Sequence, residues 1–186
     1  MAFRRFNQKL KMVDSTKHIL LTSREAQIFD TLSQAVDKNA TLTTIRVSGG
    51  WVRDKILGLE SDDIDLSLDN MSGEDFAKMI QSHEKDPSQV CEIIKSQSDK
   101  AKHLETALVH LQGQPIDIVH LRDEVYKAGS RHPEITVGTP EQDAFRRDLT
   151  VNSMFYNVRT RQIEDWTGKG FEDLKNKVAR TPQEPL

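Results

Sequence analysis

At 186 residues, 36% hydrophobic and 30% charged, the chain fits one domain, or one domain plus a short extension, and can bury a core beneath a wet surface. No run approaches the roughly 18 consecutive apolar residues of a membrane helix, so the reading is a soluble protein with no membrane partner, and the single cysteine, Cys91, excludes an internal disulfide framework and a cysteine-rich zinc site. A formal net charge of −3 lacks the basic excess of a nucleic-acid surface, so any polynucleotide contact must come from a local patch or from sequence beyond this chain.

The chain opens on a basic segment. Met1–Met12 holds Arg4, Arg5, Lys9 and Lys11 and no acid, with Phe3, Phe6 and Leu10 interleaved. A short mitochondrial presequence has this composition, and so does a plain basic start. The expectation is cytoplasmic or nuclear residence, with mitochondrial targeting through residues 1–12. Thr22 and Glu25 have capping-box spacing, and Ala26, Ile28, Phe29, Leu32 and Val36 recur at helical intervals, which predicts a helix over 23–38. Residues 43–47 are β-branched and strand-like, Ser48-Gly49-Gly50 is a turn, and a helix over 51–57 opens directly from it. From Asp63 to Leu68 acidic or polar and apolar residues alternate, the period of a strand. Ser72 caps a helix over 73–84 with Phe76, Met79 and Ile80 inward. Residues 90–95, 104–111 and 116–121 are three further strands separated by polar turns. Cys91, in the first of them, reads as a buried thiol. Residues 126–138 read as loop. Thr139, Pro140 and Gln142 supply N-cap, N1 and N3 of a helix expected to run to Asn157. A stretch at 163–166 and a segment at 171–178 complete the chain. Strands in the middle with helices on their flanks give an α+β class with one mixed sheet of about five strands.

Asp63 and Asp65 are the centre of the chemistry. Two apart on a strand, they share a face with Cα atoms about 7 Å apart. Both then reach a pair of Mg²⁺ ions about 4 Å apart, the arrangement that supports phosphoryl transfer. A solvent-facing acidic strand is the ordinary alternative. An EF-hand loop is rejected: Asp63, Asp65 and Glu74 fall at loop positions 1, 3 and 12, but Leu68 stands where the loop needs glycine. Gly49-Gly50 follows a strand and opens a helix, so backbone can approach a phosphate closely and free N–H groups face it. Arg53, one turn in, adds a guanidinium suited to phosphate. By itself such a glycine turn is a structural feature. Asp117 lies between Ile116 and Ile118, and an acid inside an apolar strand is costly unless paired or metal-bound. It is the candidate third carboxylate, as ligand or as proton acceptor.

Four blocks in this order, GGWVRD (Gly49–Asp54), DIDLSL (Asp63–Leu68), IDIVHLR (Ile116–Arg122) and RRDLTVNSMFYN (Arg146–Asn157), resemble the class II tRNA nucleotidyltransferases. These are the CCA-adding enzymes and their poly(A) polymerase relatives, within the DNA polymerase β superfamily, and the wording is closest to eukaryotic, fungal-like members. The resemblance runs from about residue 20 to the end. It implies the superfamily's nucleotidyltransferase head and the addition of CCA, or part of it, to tRNA 3′ ends from CTP and ATP. By matching position, Asp63 and Asp65 are its metal ligands for two Mg²⁺ ions and Asp117 its third acid. Gly49, Gly50, Arg53 and Arg147 hold the triphosphate, and Asp148 and Asn152 recognise the ribose. Four residues apart, Asp148 and Asn152 share one face of the helix expected there. Asp165, Gly170, Asp173 and Arg180 resemble the hinge between head and neck; a glycine turn with a helix cap is the local alternative. Lys127, Arg131 and His132 lie in what resembles a mobile loop that touches tRNA, or is a plain solvated loop.

The family's base-reading Glu-Asp-x-x-Arg helix has no match in residues 1–186. The expected organisation is therefore a basic segment over 1–19, a head over 20–160 and the start of the head-to-neck connection over 161–186. A separate C-terminal half is a candidate partner, and this fragment alone is expected to be weak or inactive. A poly(A) polymerase of the same class, an enzyme adding only CC or only the last A, and a non-catalytic head acting as a binding or assembly module remain open as alternatives.

Overall fold

The computed structural model describes residues 19–83, 91–94, 106–125 and 134–183. Helix α1 (Ser23–Lys38) starts where the capping box places it: Thr22 Oγ1 accepts from the Glu25 amide at 3.2 Å, and Glu25 Oε2 accepts from the Thr22 amide at 2.7 Å. Its apolar stripe, Ile28, Phe29, Leu32, Ala35 and Val36, is buried. Strand β1 (Ile45–Ser48) leads through Gly49 into α2 (Gly50–Ile56), and β2 (Ile64–Leu68) into α3 (Gly73–His83). Ser72 accepts from the Asp75 amide at 3.0 Å, and Phe76, Met79 and Ile80 are inward. The sheet continues with β3 (Cys91–Ile94), β4 (Thr106–Leu111) and β5 (Gln114–His120).

β6 (Arg122–Val125) and β7 (Glu134–Val137) form a separate antiparallel ribbon. Then come α4 (Pro140–Phe145), a 3₁₀ turn (Thr150–Asn152), β8 (Phe155–Asn157), β9 (Gln162–Glu164) and α5 (Gly170–Asn176). The main sheet has seven strands in the order β3-β4-β5-β2-β1-β8-β9. β2 and β5 run parallel; the other neighbours are antiparallel. The parallel pair requires a long crossover, which α3, β3 and β4 supply.

The expected mixed α+β sheet is present, with β8 and β9 as two strands beyond the five expected. β8 comes from the end of a stretch read as helix, and β9 from the stretch at 163–166 that was given no element. α4 begins as expected, with Thr139 and Gln142 forming a reciprocal capping box and Pro140 in the first turn, but it ends at Phe145 rather than Asn157. Phe155 and Tyr156 instead extend the β1 edge. Pairing there buries both aromatic rings, and that burial overrides continuation of the helix that Thr139 caps. The ribbon strand β7 likewise falls inside a stretch read as loop.

Alternation sorts the sheet into two faces. Val47, Leu66, Ile116, Ile118, Val109 and Tyr156 face the main core with α1, α2 and α3, where Phe29, Trp51 and Tyr156 meet ring to ring at 5.6–5.9 Å. Burial on this scale stabilises by roughly 1.5–3 kcal/mol per large side chain. On the opposite face a smaller cluster of Leu121, Ala144 and Phe155, with Trp166 against it, seats α4. The polar site lies beside that smaller cluster.

Candidate active site

Strand register builds the acidic floor. Asp65 pairs with Ser48 of β1 on one side and with Asp117 of β5 on the other. Side chains at paired positions share a face, so Asp65 and Asp117 stand side by side next to the residue that precedes Gly49. Asp63 lies one residue before β2 and is exposed, as are Asp65 and Asp117, while Ile64, Leu66, Ile116 and Ile118 between them are buried. The cost expected for a carboxylate inside an apolar strand is therefore not incurred at Asp117, because it alternates onto the open face. Partial burial, with the Asp117 and Asp63 charges, raises the Asp65 carboxyl above its usual range, and Arg147 opposes this.

The rim is basic. Gly49 has φ 77° and ψ −141°, a region that L side chains avoid. A Cβ there would lie 3.4 Å from Arg147 Nη1, and one on Gly50 3.4 Å from Arg53 Nη2. Both arginines thus lie against the turn whose missing side chains leave them room. Arg53 is forked by Asp54 through Nε at 2.8 Å and Nη2 at 3.1 Å, and its Nη1 donates to Asn152 Oδ1 at 2.7 Å. Asn152 Nδ2 donates to both oxygens of Asp148 at 3.2 Å. Asp148 and Asn152 do meet, through a bend and a 3₁₀ turn rather than along a helix face.

The arrangement draws on a residue that the sequence did not single out. Asp143 of α4 is 1% exposed. Its Oδ1 accepts from the Arg122 amide at 3.0 Å and from Arg146 Nε and Nη2 at 3.0 and 2.7 Å; its Oδ2 accepts from Arg147 Nε and Nη2 at 3.0 and 2.8 Å. Burial alone would raise this carboxyl, but the Arg147 and Arg146 charges, the Arg122 amide and the Arg146 hydrogen bond hold it below its ordinary value. The Asp143–Arg146–Arg147 spacing of i, i+3, i+4 was the available signal.

Of the four residues matched to the hinge, Gly170, Asp173 and Arg180 meet the 3₁₀ turn that carries Asn152, while Asp165 holds the turn leading into α5. Asp173 Oδ2 accepts from Thr150 Oγ1 at 2.7 Å and from Arg180 Nε at 3.0 Å, and the Thr150 amide donates to the Arg180 carbonyl at 2.8 Å. Asp165 accepts from the Gly168 and Phe171 amides at 3.0 and 3.2 Å. A Cβ on Gly170 would lie 2.7 Å from Met154 Cγ and 2.9 Å from the Thr150 carbonyl oxygen, so that contact needs glycine. Lys127, Arg131 and His132 lie outside the described residues, as does the basic segment 1–12.

The donor set suits a hard divalent cation: carboxylate oxygens on one face, open to water and to further oxygen ligands. Among the described residues, no three His, Cys, Asp or Glu side chains are gathered closely enough to cage an ion by themselves. Any ion held here takes part of its coordination from water or ligand oxygens, as Mg²⁺ does in phosphate-handling sites. No helix among the described residues is long and apolar enough to cross a membrane.

Residues 45–180 match the model of the poly A polymerase head domain. The chain is 46% identical over 142 residues to a tRNA nucleotidyltransferase of Schizosaccharomyces pombe, cca1, covering 74% of this chain and 28% of that protein. It is 42% identical over 182 residues to a second from that organism, cca2 (90% and 38%). It is 46% identical over 147 residues to the mitochondrial CCA tRNA nucleotidyltransferase of Saccharomyces cerevisiae (75% and 27%). Among solved structures, an apo CCA-adding enzyme superposes with a TM-score of 0.71 at 25% identity, covering 88% of this chain and 36% of that one. The chain thus spans well under half the length of these relatives. The fold, the acidic floor and these matches together make the chain a member of the poly A polymerase head domain family.

Proposed function

We propose that this chain is the catalytic head of a tRNA nucleotidyltransferase that adds CCA, or part of it, to tRNA 3′ ends from CTP and ATP. The observation that carries the reading is the Asp65–Asp117 pairing beside a glycine turn flanked by Arg53 and Arg147. Residues 20–160 form the head, 161–186 begin the connection to a neck, and residues 1–12 direct the protein to mitochondria. The mitochondrial relatives of Saccharomyces cerevisiae and Candida glabrata support the last point.

Asp63 and Asp65 hold the Mg²⁺ ions, with Asp117 beside them. When bound, the ions supply Lewis-acid activation of the attacking hydroxyl and neutralise charge on the leaving pyrophosphate. Arg147 Nη1 and Arg53 bind triphosphate oxygens over the Gly49–Gly50 turn, where backbone and guanidinium can approach without an intervening side chain. Asp148 accepts from a ribose hydroxyl while the Asn152 amide donates to it, exchanging their mutual hydrogen bonds for bonds to the sugar. The tRNA 3′ oxygen bonds the α-phosphorus, the α–β bridging bond breaks, and Asp117 accepts the hydroxyl proton.

The test is transfer from CTP and ATP, singly and together, to a tRNA ending at its discriminator base, using this chain with and without a separately supplied C-terminal half. Products three nucleotides longer support the reading. The family model matched here is described for poly A polymerase, and long adenylate products would favour that activity instead. No transfer under either condition would leave a binding or assembly module.

A further inference from the structure

We propose that Asp143 is a positioning residue that aims Arg147 at the triphosphate. The proposal rests on the nucleotidyltransferase reading above. Arg147 has three nitrogens to offer. Asp143 Oδ2 takes Nε and Nη2, and this bidentate fork fixes the guanidinium plane. Nη1 is the corner left over, and it lies against Gly49. Phe155 supports the guanidinium from its face, with Arg147 Cζ 5.1 Å from the ring centroid. Clamp, ring and glycine turn together leave one direction for the free corner, towards the face that bears Asp65 and Asp117.

Asp143 is anchored independently of Arg147. Its other oxygen, Oδ1, is held by the Arg122 main-chain amide and by Arg146. Arg146 in turn reaches Glu124 Oε1 at 3.5 Å. One carboxylate therefore joins the ribbon strand β6, helix α4 and the site. A long side chain such as arginine loses considerable rotamer freedom on ligand binding. The clamp removes that freedom beforehand, so the ligand meets a guanidinium already in place.

The geometry also dictates what Asp143→Asn does. An asparagine carries an amide nitrogen in place of one oxygen, and an N–H group cannot accept from a donor. Facing Oδ1 towards Arg122 and Arg146 keeps three hydrogen bonds; the reverse keeps two. The amide nitrogen therefore turns to Arg147 and releases it, while the anchor to β6 and Arg146 remains. The variant is predicted to lose arginine positioning with its fold intact.

The experiment uses the full chain and inorganic tripolyphosphate with Mg²⁺ as a base-free probe, followed by NMR titration. The Arg147 Nε–H resonance, identified by its disappearance in Arg147→Lys, reports the clamp directly. In D143N that resonance should collapse towards exposed arginine values. Tripolyphosphate affinity should fall roughly 10- to 100-fold, the range of one hydrogen bond to a charged group. Arg147→Ala should fall as far, and D143N combined with R147A should fall no further than R147A alone. Independent, multiplying losses would overturn the proposal, as would a D143N chain that keeps wild-type affinity. Should D143N fail to fold, Arg147→Lys decides. Lysine keeps the charge without the fork, so wild-type affinity in R147K would refute positioning. If R147A itself binds tripolyphosphate as well as wild type, the triphosphate reading of the site fails together with this proposal; if only D143N is neutral, that reading survives.

Discussion

Replacing Gly49 by alanine separates backbone strain from site chemistry. At φ 77° and ψ −141°, a side chain at this position costs about 1–3 kcal/mol of stability. Crowding is not the source, since the new Cβ would sit 3.4 Å from Arg147 Nη1, an ordinary contact. It would, however, fill the gap between the turn and the guanidinium through which a phosphate must approach. Gly58→Ala supplies the control. Gly58 also has positive φ, 73°, but nothing lies within 4 Å of an added Cβ. It should lose about 1–2 kcal/mol from the left-handed backbone alone. Urea unfolding of the full chain measures both stabilities, and titration with Mg²⁺ and tripolyphosphate measures both affinities. Both variants should lose stability, while only G49A should lose affinity, by roughly 10-fold or more. Equal affinity losses in the two variants, or an unchanged affinity in G49A, would refute the phosphate-approach role of the turn.

Four further outcomes are expected. Asp63→Ala and Asp65→Ala should each abolish nucleotide addition in the complete protein with folding retained, measured by primer extension; a wild-type rate in either would remove the metal assignment. Chelating Mg²⁺ should weaken tripolyphosphate binding by the wild-type chain, and Asp65→Asn should bind it more tightly than wild type in that metal-free condition, because one repelling carboxylate is gone; calorimetry showing the opposite order would contradict the charge argument. Glu25→Ala should cost about 3–5 kcal/mol, since it strands Lys55, whose ammonium pairs with Glu25 at 2.7 Å and whose side chain is 7% exposed, and removes the acceptor for Trp51 Nε1; a loss below about 1 kcal/mol on urea unfolding would show that water reaches Lys55. Stability should also depend on Asp143 at low pH. Its folded value lies below the unfolded 3.8, so its contribution is fully present above that value and is lost as pH falls through the folded one. Arg146, Arg147 and Arg122 face the carboxyl, with Glu124 beyond Arg146. The pH slope of unfolding free energy below 3.8 should therefore be shallower in D143N than in wild type, and an equal or steeper slope would count against the buried charge.

Local signals read correctly wherever one element sets its own boundary. The capping boxes at Thr22 and Thr139 and the alternation after Asp63 act over a few residues, and each appears at its expected place. The face shared by Asp65 and Asp117 was legible from alternation, but the register that puts them side by side was fixed by pairing across the crossover, which spacing does not encode. Residues 146–157 were read as the continuation of the helix that Thr139 caps, while the β1 edge offers Phe155 and Tyr156 a pairing partner that is visible only once the sheet exists. Asp143 was missed for a related reason. In sequence it is one acid among many on an exposed-looking helix, and only the fold shows that both of its oxygens are buried among five donors.

Net charge misdirects for a physical reason as well. The sum of −3 averages over a site in which the two signs are kept apart: carboxylates on the strand floor, guanidiniums at the glycine rim. A bare triphosphate approaching that floor is repelled by Asp63, Asp65 and Asp117 and attracted by Arg53 and Arg147, and part of Arg53 is already engaged by Asp54. Arginine alone does not offset three acids, so a divalent cation is the natural third component between floor and ligand. The same logic explains why Asp143 had to be buried on the far side of Arg147. A carboxylate that orients an arginine from the solvent side would compete with the phosphate for it. Placed beneath, with its charge matched by Arg146 as well, it holds Arg147 without covering the corner that faces the site.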